Sequence, residues 1–143
     1  ALFKADVYNG IFDMLARLKT QNRLIGVATY KREDYAITLL DKFNLSGYCS
    51  VVHGADNFNQ LTKSDIIRLC LNDLSCTVND AIMIGDTIHD ALAASEVGMD
   101  FIGVTWGFGF KSNEYYNNIT SIGFAKYPLD ILSILKGAED FAS

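Results

Sequence analysis

Short, continuously apolar runs alternate along this chain with apolar stripes of helical spacing, and this alternation constrains the fold more than any other feature. Residues 23–28 (RLIGVA), 50–53 (SVVH), 81–84 (AIMI) and 101–105 (FIGVT) are such runs, rich in Val and Ile. A strand apolar at nearly every position is buried on both faces. Between the runs, Ile11, Met14, Leu15 and Leu18 fall at i, i+3, i+4 and i+7 and predict a helix over 8–20. Ala36, Leu39, Leu40 and Phe43 give a second stripe, with Gly47 as its stop. Ile67, Cys70, Leu71 and Leu74 give a third, capped by Thr62 with Asp65 in its first turn. A fourth helix is predicted from Ile88 to Val97, ended by Gly98. Residues 106–113 (WGFGFKSN) read as a loop, and Pro128 suits the first turn of a closing helix over 129–136. Helices alternating with doubly buried strands predict an α/β fold: a mainly parallel sheet between two helical layers.

Bulk properties narrow the function classes. The 143 residues suit one domain, half of them apolar and a fifth charged. Net charge is −5 and no Lys/Arg block forms a basic stripe, so nucleic acid is not an expected partner. No apolar run approaches the roughly 18 residues of a membrane span. Cys49, Cys70 and Cys76 are odd in number and form no C-x-x-C, which suits reduced thiols in a cytoplasmic protein. Asn44-Leu45-Ser46 and Asn118-Ile119-Thr120 match the glycosylation sequon, but no secretory signal accompanies them and they are read as chance.

In open parallel sheets, ligands bind beyond the carboxyl ends of the strands. The first strand runs into Thr29, whose hydroxyl could hold a phosphate oxygen or simply cap a turn. Lys63 opens the third helix, as an ammonium for a charged site or a solvated lysine. The third strand runs into Gly85-Asp86-Thr87-Ile88-His89-Asp90. Two carboxylates four apart across a glycine turn can face one small volume and suit Mg²⁺; Thr87-x-x-Asp90 equally fits a helix-capping pattern. His89 reads as a surface residue, and His53 is a weak candidate for the same rim. No G-x-x-x-x-G-K-[ST] and no G-x-G-x-x-G follows a strand, so neither a P-loop nor a dinucleotide site is supported.

In order and spacing, GVATYK (Thr29), LTKSDII (Lys63) and IGDTIHD (Asp86, Asp90) resemble motifs two, three and four of the haloacid dehalogenase superfamily. Residues 98–109 (GMDFIGVTWGFG) look like the following segment of its phosphoglycolate-phosphatase-like branch, and the resemblance runs from about residue 3 to 136. It implies a Rossmann-like αβα core and a Mg²⁺-dependent phosphomonoester hydrolase acting on a small phosphorylated metabolite through an aspartyl-phosphate. Thr29 would bind the phosphoryl group and Lys63 would balance its charge. Asp86 would ligate Mg²⁺, and Asp90 would support the metal directly or through water.

That family's first motif, D-x-D-G-T, supplies the nucleophile and the general acid/base. No D-x-D occurs in these 143 residues, and Asp6-Val7-Tyr8-Asn9-Gly10 follows no apolar strand. The resemblance thus reads residues 1–143 as the C-terminal part of the core domain, without the nucleophile strand and the helical cap. The missing strand would lie between those of motifs two and four. Its absence would leave two unpaired edges, which close up or pair with another chain as an oligomer. Such a chain alone is expected to show no turnover. A phosphomutase or dehalogenase of the same superfamily, or a non-catalytic phosphate-binding domain, are the alternatives; the carboxylate pair leans toward phosphoryl transfer.

Overall fold

Alternate residues of three of the strands enter different cores, which is why those strands read as unbroken apolar runs. In the computed structural model, which describes residues 10–58, 60–106 and 120–142, Ile82, Ile84, Ile102 and Val104 face one core. It is built by Ile11, Met14 and Leu18, by Leu40, and by Ile131 and Leu135. Met83 and Phe101 face the other, built by Ile67 and Leu71 and by Ala91, Ala93 and Ala94. Period-two strands between two helical layers are the three-layer arrangement expected from the alternation.

The order of elements is α1 (Ile11–Thr20), β1 (Gly26–Arg32), α2 (Glu33–Lys42), β2 (Val51–Ala55), α3 (Lys63–Asp73), β3 (Ile82–Gly85), α4 (Ile88–Val97), β4 (Asp100–Val104), β5 (Gly123–Ala125) and α5 (Asp130–Ala142). Short 3-10 turns at Ser46–Tyr48 and Val78–Asp80 precede β2 and β3. All pairings among the described residues are parallel: β1 with β2, β3 with β4, and β4 with β5. No helix among the described residues is long and apolar enough to cross a membrane.

The sheet is open in the middle. Among the described residues β1 pairs only with β2, and β3 only with β4, so the strands on either side of the break do not close up. Ile82, Met83 and Ile84 of β3 are only half-buried, whereas Phe101–Val104 of β4 are buried throughout. Both cores nonetheless draw on both sheets: Val27 and Val52 pack with the first, and Ala28 with the second. Helix α3 spans the break, packing on β1, β2 and α4.

Local chemistry moves several predicted boundaries. The first strand starts at Gly26 rather than Arg23 and runs past Thr29 to Arg32, because a bulge carries it onward: Ala28 pairs with His53 and Arg32 with Ala55. Helix α2 stops before Gly47; Asn44 takes the left-handed φ of 59° and Gly47 lies in a 3-10 turn. Pro128 sits ahead of α5 rather than inside its first turn, its carbonyl accepting from Ile131 N–H at 3.1 Å. Strand β5 was not expected from the sequence, since Gly-Phe-Ala is too short to show a period. From residue 107 the predicted loop lies outside the described residues, as do Asn118 and Ile119 of the second sequon.

The start of α3 follows the sequence closely. Thr62 accepts from Asp65 N–H at 3.1 Å, and the Asp65 carboxylate accepts from Thr62 N–H at 3.0 Å. Those bonds hold the Asp65 carboxyl below its ordinary range, the backbone bond to Thr62 contributing most. A lowered carboxyl contributes stability above its unfolded pKa and loses it as pH falls through the folded value. Thr62→Ala should lower stability by about 1 kcal/mol in urea titrations at neutral pH. The cost of Asp65→Asn, present at neutral pH, should fade as pH falls below the ordinary aspartate value of about 3.9.

Candidate active site

A buried lysine needs acceptors, and Lys63 finds two on separate elements. Its Nζ donates to the Ala28 carbonyl at 2.8 Å and lies 3.2 Å from Asp90 Oδ1. Both side chains are only 11% exposed. A charge desolvated to that degree is tolerable only when paired. Lys63 is the first residue of α3, Ala28 ends the regular part of β1, and Asp90 lies in the first turn of α4. One ammonium thus joins the carboxyl ends of two strands across the open sheet.

Asp90 is held from its other side by α4's own start. Its Oδ2 accepts from Thr87 N–H at 3.3 Å and from the Thr87 hydroxyl at 3.1 Å, while Thr87 Oγ1 accepts from Asp90 N–H at 3.3 Å. The capping box and the charged site are therefore one structure. The capping reading of this segment holds, and the same Asp90 carboxylate that caps α4 also pairs with Lys63. Gly85 makes the approach feasible: a Cβ there would lie 2.4 Å from Asp90 Cβ.

Asp86 sits in the turn between Gly85 and Thr87, half-exposed. Among the described residues its carboxylate forms no hydrogen bond or ion pair, so its lone pairs are uncommitted. Thr29 lies one residue beyond Ala28, in the bulge. Its Oγ1 accepts from Lys31 N–H at 3.1 Å, which leaves its own O–H to donate. Sequence reasoning missed Tyr30. Its phenol oxygen accepts from Lys63 N–H at 2.9 Å, and its ring centre lies 5.6 Å from Lys63 Nζ. An aromatic residue directly after the strand-end hydroxyl was the one available signal.

His53 does not join this group. Its Nδ1 lies 3.2 Å from Glu33 Oε1 and its Nε2 2.5 Å from Asp73 Oδ2. Asp73 closes α3 ten residues after Lys63, roughly 15 Å along the helix axis. The ring therefore ties β2 to α2 and to the far end of α3. His89 is exposed, as expected of a surface residue. Burial pushes the Cys70 thiol up to about 11, which disfavours the thiolate, and it donates to the Val27 carbonyl at 3.3 Å.

Gly85→Ala should drive Asp90 off both of its partners. We expect a loss of about 1–3 kcal/mol in stability, from overpacking at this contact. The Lys63 side-chain resonances should shift at the same time; an unchanged Lys63 environment by NMR would contradict the arrangement.

The sequence profile of haloacid dehalogenase-like hydrolases matches residues 3–104. A probable phosphatase, IndB, of Dickeya dadantii is 37% identical over 102 residues, which cover 71% of this chain and 44% of that protein. A phosphoglycolate phosphatase of Agrobacterium fabrum is 33% identical over 103 residues, covering 71% of this chain and 44% of the relative. The crystal structure of a predicted phosphatase from Clostridium acetobutylicum superposes with a TM-score of 0.79 at 33% identity, over 93% of this chain and 60% of that one. The chain thus spans a little under half the length of these curated relatives. With its fold, its profile match and its relatives in agreement, this chain belongs to the haloacid dehalogenase-like hydrolase family.

Proposed function

We propose that residues 1–143 are the C-terminal part of the core domain of a Mg²⁺-dependent phosphomonoesterase. The observation that supports this most directly is the Lys63 ammonium held between the Ala28 carbonyl and Asp90. An ammonium has three donors, and two are used, so one remains for a phosphoryl oxygen. Thr29 follows Ala28 in the chain and keeps its own O–H to donate. Together they would bind the oxygens of a transferring phosphoryl group and stabilise the charge that develops there, where fixed donors act most strongly.

The donor set fits a hard cation. Asp86 offers an uncommitted carboxylate at a strand end; Asp90, four residues on, has both oxygens engaged and would support the metal through water. No group of three His, Cys, Asp or Glu among the described residues could enclose a metal alone. Mg²⁺ asks for no such enclosure, because it keeps several waters and takes one or two carboxylates plus substrate phosphate. When bound, Mg²⁺ would neutralise phosphate charge.

The nucleophilic aspartate would come from a D-x-D segment outside these 143 residues, seated in the open slot between β1 and β3. Its carboxylate oxygen would attack phosphorus as the ester P–O bond breaks, and water would then release phosphate from the aspartyl-phosphate. The likeness to the Agrobacterium enzyme puts small phosphorylated metabolites such as phosphoglycolate first for assay. The three unpaired thiols suit a cytoplasmic setting.

The whole protein should hydrolyse p-nitrophenyl phosphate only with Mg²⁺ present. Asp86→Ala should lower kcat/KM by about 100-fold or more, Thr29→Val should chiefly raise KM, and the 143-residue chain alone should show no turnover. Hydrolysis that persists in EDTA, or survives Asp86→Ala, would overturn this reading.

A further inference from the structure

Lys63 is grasped at both ends by one residue outside the four motif positions. The first N–H groups of a helix have no partner within it. In α3 the Thr62 hydroxyl serves Asp65 N–H, so the N–H of Lys63 needs an acceptor of its own. The Tyr30 phenol oxygen supplies it at 2.9 Å. The same tyrosine places its ring centre 5.6 Å from the Lys63 ammonium, within cation–π range. Backbone start and side-chain tip are thus referred to one rigid aromatic group.

The bulge in β1 makes this reach feasible. Between the Ala28–His53 and Arg32–Ala55 pairs, Thr29, Tyr30 and Lys31 oppose only Gly54. Surplus residues on one strand bend it and re-aim side chains, a device common beside active sites. Gly54 permits the bend: a Cβ there would lie 2.4 Å from the Lys31 carbonyl oxygen. Tyr30 remains 56% exposed, so its ring stands at the rim and not in either core.

We propose that Tyr30 is a positioning residue for Lys63, fixing the ammonium against the Ala28 carbonyl and Asp90 so that its remaining donor meets the phosphoryl group. This rests on the phosphatase reading for its consequence in catalysis, but the contact itself does not. Tyr30→Phe removes the acceptor of the Lys63 N–H and keeps the ring. Tyr30→Leu removes both.

The test has a spectroscopic arm and a kinetic arm. In the 143-residue chain, the Lys63 ε-methylene protons should show an upfield ring-current shift that Tyr30→Phe keeps and Tyr30→Leu abolishes. Amide exchange at Lys63 should accelerate in both variants. In the whole protein, with p-nitrophenyl phosphate and saturating Mg²⁺, Tyr30→Leu should lower kcat by about three- to tenfold with a smaller change in KM. Tyr30→Phe should recover most of that loss. An unshifted Lys63 signal in wild type, or spectroscopic effects with kcat unchanged in Tyr30→Leu, would overturn the proposal. Should the wild-type protein show no Mg²⁺-dependent hydrolysis, the phosphatase reading fails, and the Lys63 signals still decide whether Tyr30 holds the lysine.

Discussion

The lysine–aspartate pair at the mouth of the open sheet is the interaction on which the rest depends. Lys63 and Asp90 are desolvated together, and either alone would be a stranded charge. Each is placed by the start of a helix, and each helix start is fixed by a Thr–Asp capping box. Those helices are held in turn by the second core, where the small residues Ala91 and Ala94 let α4 pack with α3 and β4. The route from sequence to the proposed chemistry is therefore short: cap, helix start, buried charge pair.

The same pair explains how two sheets behave as one platform. Among the described residues, main-chain hydrogen bonds stop at the break between β1 and β3. What crosses it is side-chain packing in both cores, helix α3, and the Lys63 ammonium reaching from β1 to α4. An edge strand normally invites pairing, and here two such edges border the residues proposed to bind phosphate.

The layers and the helices were legible in the sequence because periodicity reports burial directly. The capping of α3 and α4 was legible because Thr-x-x-Asp encodes its own geometry. Thr29, Lys63, Asp86 and Asp90 could be named from their places at strand ends and helix starts, and the family resemblance implied a role for each, but the contacts each makes could not be read. That Asp90 has both oxygens engaged while Asp86 has neither depends on Gly85 letting Asp90 close in, a tertiary fact. The extent of β1, and with it Tyr30, was hidden because a bulge leaves no periodic trace. His53 was set aside from the rim only once Asp73 and Glu33 were seen to hold it. Strand β5 owes its existence to pairing with β4, not to the propensity of Gly-Phe-Ala.

Asp90's double duty has a dynamic consequence. Helix ends fray, and each such opening is a local equilibrium with its own lifetime. Because the carboxylate that closes the first turn of α4 also holds the ammonium, every fraying excursion there would release Lys63 as well. The fraction of time this charged centre stands assembled is then bounded by the opening equilibrium of a single helical turn.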